Sequence, residues 1–124
     1  MKNVISSELA PKAVGPYSAG IEKNGTVYLS GQLPIDAATG LMPEGIKEQT
    51  TMSLKNVESL LVSAGLSFDD VVKTTVYLSD INNFAAMNEV YQSVFKAPFP
   101  ARSAFAVRDL PKGALVEIEC IAIK

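Results

Sequence analysis

The chain has 124 residues, 48% hydrophobic and 19% charged, the proportions of one domain spanning 1–124 with a core of its own. Its formal net charge of −2 gives no broad attraction to nucleic-acid phosphates or anionic lipid, and no segment approaches the ~20 apolar residues of a membrane span, so a cytoplasmic protein without nucleic-acid or membrane partners is expected. With no histidine and a single cysteine, the sequence offers neither an internal disulfide nor the usual zinc ligands, and proton transfer at neutral pH falls to a carboxylate, a tyrosine, a lysine or water.

Residues 16–22, PYSAGIE, and 26–33, TVYLSGQL, predict two strands about a turn at Lys23–Gly25. Tyr17, just after Gly15–Pro16, reads as a partly buried aromatic whose hydroxyl finds a backbone partner. Ser30-Gly31-Gln32 interrupts the second strand, and glycine there marks a bulge or a point of close approach. From Ile46 to Ala64, the positions Ile46, Thr50, Ser53, Leu54, Val57, Leu60, Leu61 and Ala64 keep three-and-four spacing, and Gly65 closes the helix.

Ser67 and Asp70 have the spacing of a capping box ahead of VVKTTVYL at 71–78, which is apolar on both faces and so predicts an interior strand. Asp80–Asn83 can cap a second helix reaching about Phe95, with Phe84, Met87, Asn88, Tyr91, Val94 and Phe95 along its stripe. Asn88 lies on that apolar stripe, so its amide needs partners, either from the sheet or from a ligand. Pro98 and Pro100 end the helix, and two strands, 101–107 and 115–123, follow as a hairpin that would lay the last strand beside 101–107.

The order β-β-α-β-α-β-β implies an α+β layer, with two helices on one face of a mixed sheet. The other face, carrying Arg102 or Glu117 among apolar neighbours, would be buried by further copies of the chain. Alternation puts Arg102, Ala104 and Ala106 on one side of their strand. A guanidinium in that setting needs water at a sheet edge or an anionic partner, because an unpaired buried charge is costly. Glu117 and Glu119 project together from the last strand, so a cross-strand ion pair with Arg102 and a binding site are both open readings. Cys120, in the alternating run LVEIECIAI, reads as a buried small hydrophobe.

The stretches APKAVGPYSAG, YLSGQLP, VVKTTVYLSDINNFAAMNEVY and FPARSAFAVRDLPKGALVEIECIA together resemble the RidA family, also called YjgF. The most specific part is Pro100-Ala101-Arg102-Ser103, followed by Leu110 and Val116-Glu117-Ile118. The resemblance implies a chorismate-mutase-like fold and a homotrimer with sites in the clefts between subunits. It also implies hydrolysis of the enamines and imines 2-aminoacrylate and 2-iminobutyrate to 2-keto acids and ammonia, with no cofactor and no metal.

On the matching positions, Arg102 would grip the substrate carboxylate and Glu117 would orient or activate water as the second catalytic group. Tyr17, Ser30, Gly31, Asn88 and Ala104 would line the substrate. Many members have cysteine where this chain has Ala104, so thiol-dependent behaviour at that position is not expected here. The competing reading is a non-catalytic trimeric module that binds small carboxylate metabolites for regulation. A nuclease, a reading also attached to the family, is disfavoured by the acidic charge and the missing histidine.

Overall fold

A computed structural model describes all of residues 1–124. A six-stranded sheet runs in the order β1-β2-β3-β6-β4-β5. Its strands are β1 (Asn3–Ile5), β2 (Gly20–Lys23), β3 (Thr26–Gln32), β4 (Val71–Leu78), β5 (Ala101–Ala106) and β6 (Val116–Ile123). Two helices, α1 (Ile46–Ser63) and α2 (Phe84–Val94), cover one face. All pairings are antiparallel except β4 with β5, which is parallel, so the sheet is mixed as expected.

The helices form where the apolar spacing demands. Leu54, Val57, Leu60 and Leu61 of α1 and Met87 and Tyr91 of α2 are buried against Val27, Val76, Val116, Ile118 and Ala122 of the sheet. At the end of α1, Gly65 takes φ 79° and the Leu66 N–H bonds to Leu61 O at 2.8 Å, a glycine-dependent stop. The Ser67–Asp70 capping box is present, and β4 lies between β6 and β5 as its two apolar faces require.

Three sequence expectations are corrected. The first strand starts at Gly20, not at residue 16: Gly15 has φ 123° and Tyr17 N–H bonds back to Gly15 O, so the segment around Pro16 folds on itself instead of joining the ladder. The three-residue β1 was not foreseen, being too short to carry a periodic signal. The last two strands do not form a hairpin, because β6 inserts between β3 and β4 and leaves β5 alone at the edge. The nine residues from Val107 to Leu115 are long enough to carry the chain past β4, and alternation says nothing about which neighbour a strand chooses.

This topology sets the two sides of the sheet. Val116, Ile118 and Cys120 face the helices, so Glu117 and Glu119 face away from them. On that open side Tyr28, Phe105 and Ile123 remain 49%, 45% and 48% exposed, an apolar surface no element of this chain covers. Arg102 pairs in register with the buried Thr74 and so points the opposite way, toward α2. The expected face is thus open, but of the two charges only Glu117 lies on it.

Candidate functional site

The seven residues expected to form one site fall into two groups on opposite sides of the sheet. Tyr17, Ser30, Gly31 and Glu117 line a cavity of about 730 Å³. Arg102, Asn88 and Ala104 lie near the β5 edge, against α2.

The cavity is built around an irregularity in β3. Pairing with β6 slips between Leu29 and Gln32, the bulge that Ser30-Gly31 suggested. Ser30 donates its hydroxyl to Ser18 O at 2.6 Å, and Gln32 Nε2 donates to Ser30 O at 3.0 Å. From α1, Ser53 donates to Gln32 O at 2.7 Å, and Asn56 Nδ2 donates to Leu33 O and Ile35 O at 3.0 and 2.9 Å. These buried amides and hydroxyls satisfy the backbone that the bulge takes out of the ladder.

Gly31 is there for space, not for its dihedral freedom. A Cβ at residue 31 would overlap the Glu117 carboxylate and come within 2.8 Å of its Cδ, so the acid lies directly over bare backbone. Glu117 has no salt bridge and no hydrogen-bond donor from its own chain. Burial, and secondly the negative charge of Glu119, push its carboxyl above the usual range. Glu119 itself accepts from the Tyr77 hydroxyl at 2.9 Å. A half-buried, unpaired carboxylate of raised proton affinity is suited to taking a proton from water.

Tyr17 is 54% exposed, less buried than its sequence neighbourhood suggested, and its hydroxyl accepts weakly from Val14 N–H at 3.4 Å. Lys12 and Lys112 also line the cavity and were not singled out in the sequence. Lys112 has φ 59°, and its place between Pro111 and Gly113 was the available signal of a tight, ligand-facing turn.

At the β5 edge, Arg102 has no carboxylate partner: the chain's three ion pairs are Lys47–Glu89, Arg108–Asp109 and Lys124–Glu22. The cross-strand pair with Glu117 or Glu119 is therefore excluded within one chain, since β5 and β6 are not neighbours and the side chains point to opposite faces. The guanidinium instead donates Nη1 to Asn88 Oδ1 at 2.7 Å and sits over the Tyr91 and Phe84 rings, 4.7 and 5.5 Å from their centroids. The remaining donors of its planar fork have no partner in the chain.

Ala104 adds to this edge through its backbone. Val107 N–H bonds to Leu78 O at 2.8 Å, so by alternation the N–H groups of residues 102, 104 and 106 point away from β4 to the free edge. A cationic fork beside an unpaired N–H matches the two oxygens of a small carboxylate.

Cys120 is buried, and burial pushes its thiol up to about 12, as expected of a core residue. No group of three or more His, Cys, Asp or Glu residues is arranged to hold a metal, and no helix is long and apolar enough to cross a membrane.

Comparison with known proteins places these features in a lineage. The family described as endoribonuclease L-PSP matches residues 7–124. The 2-iminobutanoate/2-iminopropanoate deaminase of Capra hircus is 47% identical over all of this chain and 91% of its own. The crystal structure of the Rid-family protein YyfA from Yersinia pestis superposes with a TM-score of 0.97 at 48% identity, covering the whole of both chains. That of Escherichia coli TdcF with bound serine gives 0.95 at 42% identity over 98% of each. Fold, motifs and full-length similarity agree, and the chain belongs to the RidA (YjgF) family, that of the endoribonuclease L-PSP model.

Proposed function

We propose that the chain hydrolyses 2-iminobutanoate and 2-iminopropanoate, with their enamine forms, to 2-keto acids and ammonia, needing neither metal nor cofactor. In this reading it works as a homotrimer. Each site takes Arg102 and the Ala104 N–H from one copy and Tyr17, Ser30, Gly31 and Glu117 from the next. The observation that carries the reading is the separation of these groups to opposite faces of the sheet. One chain cannot bring them together, but a head-to-tail ring that covers the open face with Tyr28, Phe105 and Ile123 can.

The chemistry follows from the two halves. Arg102 and the Ala104 N–H hold the substrate carboxylate, which fixes the imine carbon over the neighbour's cavity. Glu117, more basic than an ordinary glutamate, takes a proton as water adds to the carbon of the protonated C=N group. The resulting carbinolamine takes that proton from Glu117 onto nitrogen; the C–N bond then breaks and ammonia leaves as the hydroxyl gives its proton back to Glu117 and the C=O bond forms. Such imines also hydrolyse unaided, so the ~10² to 10⁴ that positioned acid–base groups supply is enough.

The deaminase named among the relatives and the serine bound by E. coli TdcF support a small amino- or imino-acid ligand. Glu117 argues against the purely regulatory carboxylate binder, since a second anion beside the ligand weakens binding and serves only proton transfer. An endoribonuclease activity draws no support from a net charge of −2 and a chain without histidine.

The test is to couple the chain to a threonine dehydratase and follow 2-ketobutyrate. Acceleration over the uncatalysed rate is expected; carboxylate binding without acceleration would establish the regulatory alternative instead. Mixing unfolded Arg102→Ala and Glu117→Gln chains in equal amounts and refolding them sharpens the test. Random trimers regain about a quarter of wild-type sites if each site is shared between copies, and none if it is not.

A further inference from the structure

We propose that Tyr91 and Thr74 are positioning residues for Arg102, and that their buried hydroxyl pair sets the plane on which the carboxylate-binding guanidinium rests. The inference builds on the reading of Arg102 given under Proposed function. Arg102 ends a side chain with four rotatable bonds on an edge strand, where nothing in its own strand fixes it. Its fork is directed from below. The Tyr91 ring lies 4.7 Å from the guanidinium carbon, and Asn88 Oδ1 takes Nη1 at 2.7 Å.

Tyr91 is 4% exposed and Thr74 is fully buried, and their hydroxyls are 2.7 Å apart. Thr74 is the register partner of Arg102 across β4 and β5. One hydrogen bond thus ties the α2 ring to the strand position beside the arginine and stops the ring from sliding along the sheet. Phe95 packs against the same ring with 4.5 Å between centroids. Asn88, expected as a substrate contact, belongs to the same apparatus: its carbonyl oxygen is already used by Arg102, so it orients the fork and leaves the other donors free.

The test uses variants that keep shape. Thr74→Val removes the partner but leaves a buried tyrosine hydroxyl unsatisfied, which pulls the ring out of place; KM for dehydratase-generated 2-iminobutanoate is expected to rise about fivefold with kcat within about twofold. Adding Tyr91→Phe removes the stranded hydroxyl without restoring the tie, so the double variant is expected to regain melting temperature while its KM stays about fivefold raised. A fall in melting temperature with KM unchanged in Thr74→Val, or a double variant with wild-type KM, overturns the proposal.

If the wild-type chain accelerates no imine hydrolysis, it is the deaminase reading that has failed. The same three proteins are then compared by their Kd for 2-ketobutyrate in calorimetric titration, where the same rise is expected in both variants. A Kd for Thr74→Val equal to that of wild type overturns the positioning role by itself.

Discussion

Arg102 and Glu117 are each a charged residue on a largely apolar strand, yet their surroundings are built on different principles. Arg102 stands on the edge strand with its fork supported by two aromatic rings and an amide, all from α2, and with donors left over at an open edge. Glu117 stands on an interior strand over a glycine, with no donor from its own chain and a second carboxylate two residues away. The cation is held in place and the anion is left unsatisfied. Supporting a charge without neutralising it suits a binding group, whereas leaving a carboxylate half-buried and unpaired keeps its affinity for a proton high.

The comparison is broken most severely by Arg102→Ala. Losing two charge-assisted bonds to substrate is expected to lower kcat/KM by about 10² to 10⁴ in the coupled assay. Because β5 is an edge strand, the proposed trimer should persist in sedimentation. Retained acceleration would show that the fork is not the carboxylate grip.

Glu117→Gln comes next. It keeps the shape but cannot accept the proton, so kcat should fall about a hundredfold while KM changes little. In the wild type, the same group should make the rate rise with pH through a midpoint above the ordinary glutamate value of about 4.3. A rate that is flat across that window would assign the proton transfer elsewhere.

Gly31→Ala tests the contact between bulge and acid. The added methyl displaces the Glu117 carboxylate, the movable end of a side chain, so activity should drop about tenfold with the fold intact. A variant with full activity would mean that the carboxylate works from another position.

The smallest effect is on stability. Since the folded-state pKa of Glu117 is raised, its contribution is full below the unfolded value and is lost as pH rises through the folded one. Glu117→Gln should therefore melt higher than wild type at neutral pH, and the gap should close as pH falls below about 4.3. Equal melting temperatures at both pH values would show that the carboxyl carries no burial strain.

How much of this was legible depends on the range of the interactions. The α1 stripe ending at Gly65, the Ser67–Asp70 box, the interior character of 71–78 and the bulge at Ser30-Gly31 are local patterns, and each stands where the sequence placed it. The start of the first strand was misjudged because Gly15 and Pro16 fold the chain back on itself there. Asn88 was recognised as a buried amide needing a partner, but that the partner is Arg102 follows only from packing α2 against β5.

By itself, the sequence determined which face of its own strand Arg102 and Glu117 each occupy, because alternation and helical spacing are properties of neighbouring residues. The order of the strands was decided by tertiary structure alone. Inserting β6 between β3 and β4 separates Arg102 from Glu117 and turns a supposed hairpin ion pair into two separate charges on opposite faces. The physical reason is that strand pairing is chosen by the total burial of the sheet against its helices, a quantity to which every element contributes and which no single segment encodes.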